Sequence, residues 1–107
     1  MTDYVHTHLN REKARLRQKE RCDWVVPTLF CADGTQLSVQ ASSVHYSTPR
    51  ADSGPWEAVE VWQVCSAKGR QIILPSWSGD HSSPYAYVPV EKVNKFIARH
   101  GGLLWEE

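Results

Sequence analysis

No stretch of the 107 residues approaches the roughly 18 consecutive apolar side chains that a helix needs to cross a bilayer, so no membrane partner is expected. The first ten residues are polar, carry His6 and His8, and lack the apolar centre of a secretory signal. A cytoplasmic location is the expectation that follows. Cysteine is scarce: Cys22, Cys31 and Cys65 lie far apart and are odd in number. That argues against a disulfide framework and leaves no Cys-x-x-Cys clamp for zinc. Net charge is also lacking, because 12 Lys and Arg balance 12 Asp and Glu. The whole molecule therefore has no general attraction to nucleic acid. A glycine-rich phosphate loop and a Gly-x-Ser-x-Gly nucleophile elbow are both missing. His45, His81, Asp52, Asp80 and several serines are present, but at no spacing that defines a nucleophile with its base. Metal ligation by His6 and His8, or by His45, His81 and a cysteine, has no supporting spacing either. The reading is a chain that is not an enzyme and uses no metal or cofactor.

What is present suits one globular domain: 41% hydrophobic and 22% charged residues over a length that can bury a core unaided. Residues 1–23 hold six Lys and Arg against four acids. Within them, Asn10 to Arg21 lacks Gly, Pro and β-branched residues, which predicts a basic helix capped by Asn10. Its apolar stripe, Leu9, Ala14 and Leu16, is thin. The helix is thus expected as an extension to a domain spanning 24–107, solvated or available to dock on another chain. A homodimer through this helix is one such possibility.

From Trp24 the period changes. Trp24 to Cys31 reads as a strand interrupted by Pro27. Asp33-Gly34 signals a hairpin, and Gln36 to Gln40 and Glu57 to Val64 alternate polar with apolar. Gln71 to Leu74 and Tyr85 to Val88 read as further short strands. Pro89 then opens a helix whose Val90, Val93, Phe96 and Ile97 recur at helical spacing, stopped by His100-Gly101-Gly102. The expected class is α+β: a mainly antiparallel sheet of three to five strands, a covering C-terminal helix and a basic N-terminal helix.

Five tryptophans are many for this length. Trp24, Trp62 and Trp105 are expected in the core. Trp56 and Trp77 sit in Pro/Gly/Ser-rich loops, where a large ring is harder to bury. Together with Tyr46 and Arg50 they form a set of side-chain types that anchor protein interfaces, unless the loops fold back and use the rings as plugs. Arg15, Arg17 and Arg21 complete the expected contact residues. A nucleic-acid reading would place those arginines on phosphates and the loop aromatics on bases. Glu12 and Glu20 interrupt the basic arm and weaken that reading. A third reading places His45 and Tyr46 in a ligand pocket beneath the 43–56 loop.

The blocks Asp33-Gly34-Thr35-Gln36-Leu37-Ser38-Val39-Gln40-Ala41-Ser42, His45-Tyr46-Ser47-Thr48-Pro49-Arg50, Gly54-Pro55-Trp56 and Val59-Glu60-Val61 resemble a family of short proteins of tailed bacteriophages and prophages. So do Tyr85-Ala86-Tyr87-Val88-Pro89-Val90-Glu91-Lys92-Val93 and Arg99-His100-Gly101-Gly102. The likeness spans about 33–102 in two parts and leaves out 1–23 and the insert 65–83. It implies an accessory protein in the host cytoplasm that inhibits or modulates a host protein by steric occlusion. Restriction or CRISPR defence is one such target. It implies no catalytic residue.

Overall fold

The computed structural model describes residues 2–77 and 84–104. Its elements run α1 (Tyr4–Gln18), β1 (Leu29–Phe30), β2 (Gln36–Gln40), β3 (Ala58–Cys65), β4 (Tyr85–Pro89) and α2 (Val90–Arg99). The strands form one antiparallel sheet in the order β1-β2-β3-β4, so the fold is α+β as expected. The alternation in β2 and β3 sends Leu37, Val39, Val59 and Val61 to one face, all fully buried. Val93, Phe96 and Ile97 of α2 pack there, together with Val5 and Leu9 of α1. Each such aliphatic side chain contributes about 1.5–3 kcal/mol on burial. Both helices therefore cover the same face of the sheet.

The N-terminal helix is not the loose extension its thin stripe suggests. Its cap lies seven residues earlier, at Asp3, whose side chain accepts from the His6 N–H at 3.1 Å. A cap and tertiary burial outweigh the modest helix propensity of Val5, His6, Thr7 and His8. Val5, Leu9 and Lys13 lie one turn apart on the buried side. Asn94 of α2 secures the start of α1, its Oδ1 accepting from the Val5 N–H at 2.9 Å and its amide donating to Asp3 at 3.3 Å. Of the apolar stripe on α1, Leu9 is thus used inside the monomer, Leu16 is half-buried and Ala14 is exposed.

The strand expected over 24–31 shrinks to Leu29–Phe30. Pro27 has no N–H to donate. Beyond it the Gln40 side chain substitutes for a ladder pair, accepting from the Val26 N–H and donating to the Val26 carbonyl, each at 2.9 Å. The Asp33-Gly34 hairpin forms as expected. Gly34 takes φ +92°, and a Cβ there would lie 2.7 Å from that of Ala67. Residues 71–74 form no strand; Gln71 forms an isolated bridge with Cys65, and the Ile72 N–H donates to the Val64 carbonyl at 2.8 Å. Leu104 closes the free edge of β1, its N–H donating to the Phe30 carbonyl at 2.9 Å.

Two irregularities break the ladders. Between the Gln36↔Cys65 and Ser38↔Trp62 pairs β3 carries an extra residue, and between Val59↔Val88 and Val61↔Tyr85 β4 does. Gln63 (φ 54°) and Tyr87 (φ 53°) occupy these bulges in the left-handed region. Such backbone costs a non-glycine residue of order 1–3 kcal/mol. Bulges re-aim side chains, and both of these side chains end up exposed.

Candidate functional site

Among the described residues, no helix or strand covers the face of the sheet opposite the helices. That face receives the outward positions of each strand: Phe30, Gln36, Ser38, Glu60, Trp62 and Tyr87. Trp62 is 47% exposed, Tyr87 45% and Phe30 43%. Three large rings left nearly half-exposed on one face form an apolar patch of the kind that marks contact surfaces. The loop after β2 adds Tyr46, 47% exposed. The Tyr46 N–H donates to a Glu60 carboxylate oxygen at 2.9 Å, and its carbonyl accepts at 3.1 Å from the Tyr87 N–H. The two tyrosine rings lie 5.9 Å apart and tilted by 48°. The Arg50 guanidinium sits 5.5 Å from the centre of the Tyr46 ring while its Nε donates to the His45 carbonyl at 3.1 Å. The Arg50 cation thus lies over the Tyr46 ring while Glu60 holds the Tyr46 backbone.

Beside Trp62 the face dips into a depression of about 330 Å³, lined by Thr28, Gln36, Gln63, Cys65 and Gln71 besides Trp62 itself. None of those side chains is charged. Aromatic rings, one anchored arginine and neutral amides make a surface depleted in charge, the composition of a protein-interface core.

Placement of the expected contact residues is mixed. Tyr46 and Arg50 are exposed, as required. Trp56 and Trp77 are not: they are 3% and 7% exposed. Trp56 stacks on His6 at 5.8 Å and 17°, its indole N–H donates to the Ala51 carbonyl at 3.1 Å, and its own N–H donates to His6 Nε2 at 2.8 Å. Trp77 meets Tyr85 and Phe96 edge-on at 5.7 and 5.6 Å. Both rings thus act as plugs in the core. Trp24 and Trp62, expected inside, are 45% and 47% exposed, and Trp105 lies outside the described residues. The assignment of tryptophans to core and surface is therefore reversed.

Nothing about loop or strand membership marks Trp62 and Tyr87 for the surface. The available signal is parity: Trp62 follows Val61 in an alternating strand, so a core built on Val59 and Val61 sends it outward. Tyr87 has no such signal, because the bulge at Ala86–Tyr87 resets the alternation.

Arg15 and Arg17 are over half exposed as side chains and paired with Glu12 and Asp23; Arg21 is exposed. Arg15 and Arg17 lie on α1 and Arg21 just beyond it, and Arg15 lines a groove with Thr28 and Phe30 at the β1 edge. His45 does not join Tyr46 in a catalytic arrangement. Its Nδ1 pairs at 2.6 Å with the Ser42 hydroxyl, which also accepts from the Val44 N–H at 3.1 Å. Ser42 is completely buried, so this pair closes a loop instead of presenting a nucleophile. Burial lowers the His45 pKa, keeping the ring neutral.

His6 and His8 are ordered in α1, two residues apart and hence on different sides. His8 is buried, its Nε2 pairing with the Pro27 carbonyl at 3.1 Å, and burial lowers its pKa. Cys31 is fully buried, and burial pushes its thiol up to about 12, which makes it unreactive. Among the described residues no group of three or more His, Cys, Asp or Glu is placed to hold a metal ion, and no helix is long and apolar enough to cross a membrane. His81 and Asp80 lie outside the described residues. No family model, no curated protein and no solved structure matches the chain.

Proposed function

We propose that this chain is a phage or prophage accessory protein that binds a host protein through the open face of its sheet and inhibits or modulates it by steric occlusion. A defence component of the restriction or CRISPR type is the target class the sequence resemblance suggests. One observation carries the reading: Tyr46, Trp62 and Tyr87 stand nearly half-exposed on a face free of helices, with Arg50 braced against one of them. Trp, Tyr and Arg are the side chains on which interface energy concentrates. Left-handed backbone at Tyr87 and Gln63 supports it, since strain of that kind collects at functional positions.

The nucleic-acid reading is weaker on geometry. Stacking needs rings and free phosphate cations on one surface; Arg15 does line a groove with Phe30, but it is paired with Glu12, and Arg17 with Asp23.

The test is capture from host lysate on the immobilised protein, identification by mass spectrometry, then affinity measurement with variants. Trp62→Ala and Tyr46→Ala should each weaken the complex by about 2 kcal/mol, roughly 30-fold, and Arg15→Gln and Arg21→Gln should leave it unchanged. Wild-type affinity in both aromatic variants refutes the proposal. A complex lost in the arginine variants, and falling steeply with salt, transfers the assignment to nucleic acid.

A further inference from the structure

We propose that the groove between α1 and the 53–56 loop binds a small oxyanion, a carboxylate or phosphate group, on Lys13 and Arg17. This site lies on the helical side of the molecule and is independent of the sheet face. The groove encloses about 570 Å³ and is lined by Asp3, His6, Asn10, Lys13 and Arg17 of α1 opposite Ser53, Gly54, Pro55 and Trp56. That volume falls within the roughly 300–1,000 Å³ usual for small-molecule sites. The α1 residues are spaced by three or four, so one helix face supplies the whole wall.

The distribution of charge along this wall selects the ligand. Its Asp3 end is already satisfied. Burial would raise the Asp3 pKa, but hydrogen bonds from the His6 N–H, the Asn94 amide and the His6 ring outweigh it and hold the carboxylate ionised. His6 is also fully engaged. A backbone N–H can only donate, so the bond from Trp56 makes Nε2 the acceptor and leaves Nδ1–H to donate to Asp3 at 2.8 Å.

At the other end the balance is positive. Lys13 is 1% exposed and forms the floor. Its ammonium has three N–H donors, and the described acceptor is one neutral carbonyl, that of Asp23 at 2.7 Å. The Trp56 ring lies 5.7 Å from it. The Asp23 carboxylate is turned instead to Arg17, at 2.6 Å from Nε. Asp52 acts on Lys13 only at longer range, because its carboxylate accepts from the Ser43 N–H and hydroxyl. Among the described residues neither Asp23 nor Asp52 forms a direct ion pair with Lys13; both act on it at longer range, and burial, the larger effect, lowers its pKa. A buried cation is costly unless it is paired, and an oxyanion in the groove completes the pairing. Arg17 stands at the rim, able to grip it. The Asn10 amide, exposed and making no described hydrogen bond, adds a neutral donor. Repulsion from Asp3 restricts the anion to the Lys13 end, so the rest of the ligand is neutral or cationic.

The experiment titrates inorganic phosphate, and separately acetate, into ¹⁵N-labelled full-length protein. Saturable shifts are expected at the amides of residues 10–17 and 53–56 and at the Trp56 indole. Arg17→Gln should weaken binding by about tenfold or more. Lys13→Met should abolish it where that variant folds. Asn10→Leu, at an exposed position, fills the groove without touching the core and should weaken binding equally. Arg21→Gln should titrate as wild type. Phosphate binding alone identifies a phosphoryl ligand; binding of both anions identifies a carboxylate-tolerant site. Absence of saturable shifts with either anion overturns the proposal. So do shifts confined to Arg15 and Arg21, or wild-type titrations in both Arg17→Gln and Asn10→Leu.

Discussion

Removing the indole of Trp56 and that of Trp62 should have opposite consequences, although both residues sit within a few positions of each other. Trp56 is 3% exposed. In Trp56→Ala the lost burial and the remaining cavity together cost about 3–5 kcal/mol. The change also strips the Ala51 carbonyl of its indole donor and the Lys13 ammonium of its ring neighbour. Native stability for a domain is only about 5–15 kcal/mol. A loss of this size lowers Tm by roughly 12–30 °C for a chain of this length and leaves the variant marginal. Trp62 is 47% exposed and stands across from Ser38 on an uncovered face. Trp62→Ala should cost no more than about 1 kcal/mol, the range of cross-strand pairs and surface sites. Urea unfolding followed by far-ultraviolet circular dichroism, which does not depend on the deleted fluorophore, measures both. The reasoning is refuted if Trp62→Ala proves as destabilising as Trp56→Ala, or if Trp56→Ala unfolds within about 1 kcal/mol of wild type.

Gln63→Gly should stabilise the protein by about 0.5–1 kcal/mol, because glycine relieves the φ 54° backbone by more than it adds in unfolded-state entropy. Gln63→Ala keeps the strain and should bring no such gain; a urea midpoint that falls in the glycine variant contradicts the strain argument. His6→Phe preserves a flat ring against Trp56 but deletes the acceptor that the Trp56 N–H reaches at 2.8 Å. A loss of about 1–2 kcal/mol is expected, together with faster hydrogen exchange at the Trp56 amide; an unchanged exchange rate would show the bond to be dispensable. Asp33 is held at a pKa of about 2, below its ordinary 3.8, chiefly by the Thr35 N–H and hydroxyl and also by His100. Its folded pKa is depressed, so the unfolded chain binds the extra proton first. The stabilisation is complete above about pH 4 and disappears as pH falls towards 2. Asp33→Asn should flatten that part of the acid limb of an unfolding-versus-pH curve; superimposable limbs would disprove the assignment.

Local signals made much of the fold readable. Asp33-Gly34 announces its hairpin, Gln36 to Gln40 alternates as a half-buried strand, and Pro89 with Gly101-Gly102 bounds a helix whose apolar residues recur at the right period. Each of these depends on neighbours a few residues away. The start of α1 was less legible, since Val5 and His8 are indifferent helix formers that become helical because Leu9 and Asn94 give them something to pack and bond against. Residues 71–74 show the converse: Ile72, Ile73 and Leu74 look like a strand, yet no strand forms there.

The candidate site was legible in kind and not in place. Composition pointed to exposed aromatic and arginine side chains, and Tyr46 and Arg50 are exposed. Which tryptophan is buried, however, is not a property of its own segment. Trp56 is hidden because α1 and His6 close over it, and Trp62 is bare because both helices chose the other side of the sheet. By itself the sequence determined the α+β class, the antiparallel hairpin, β2, β3 and α2, through turn chemistry and periodicity that act over a few residues. Only the tertiary structure decided which face of the sheet stays open, how Lys13 comes to be a buried cation, and where the bulges aim Gln63 and Tyr87. Those outcomes depend on contacts between residues as distant as His6 and Trp56, or Val5 and Asn94, and no local pattern records which distant surface will arrive to cover a side chain.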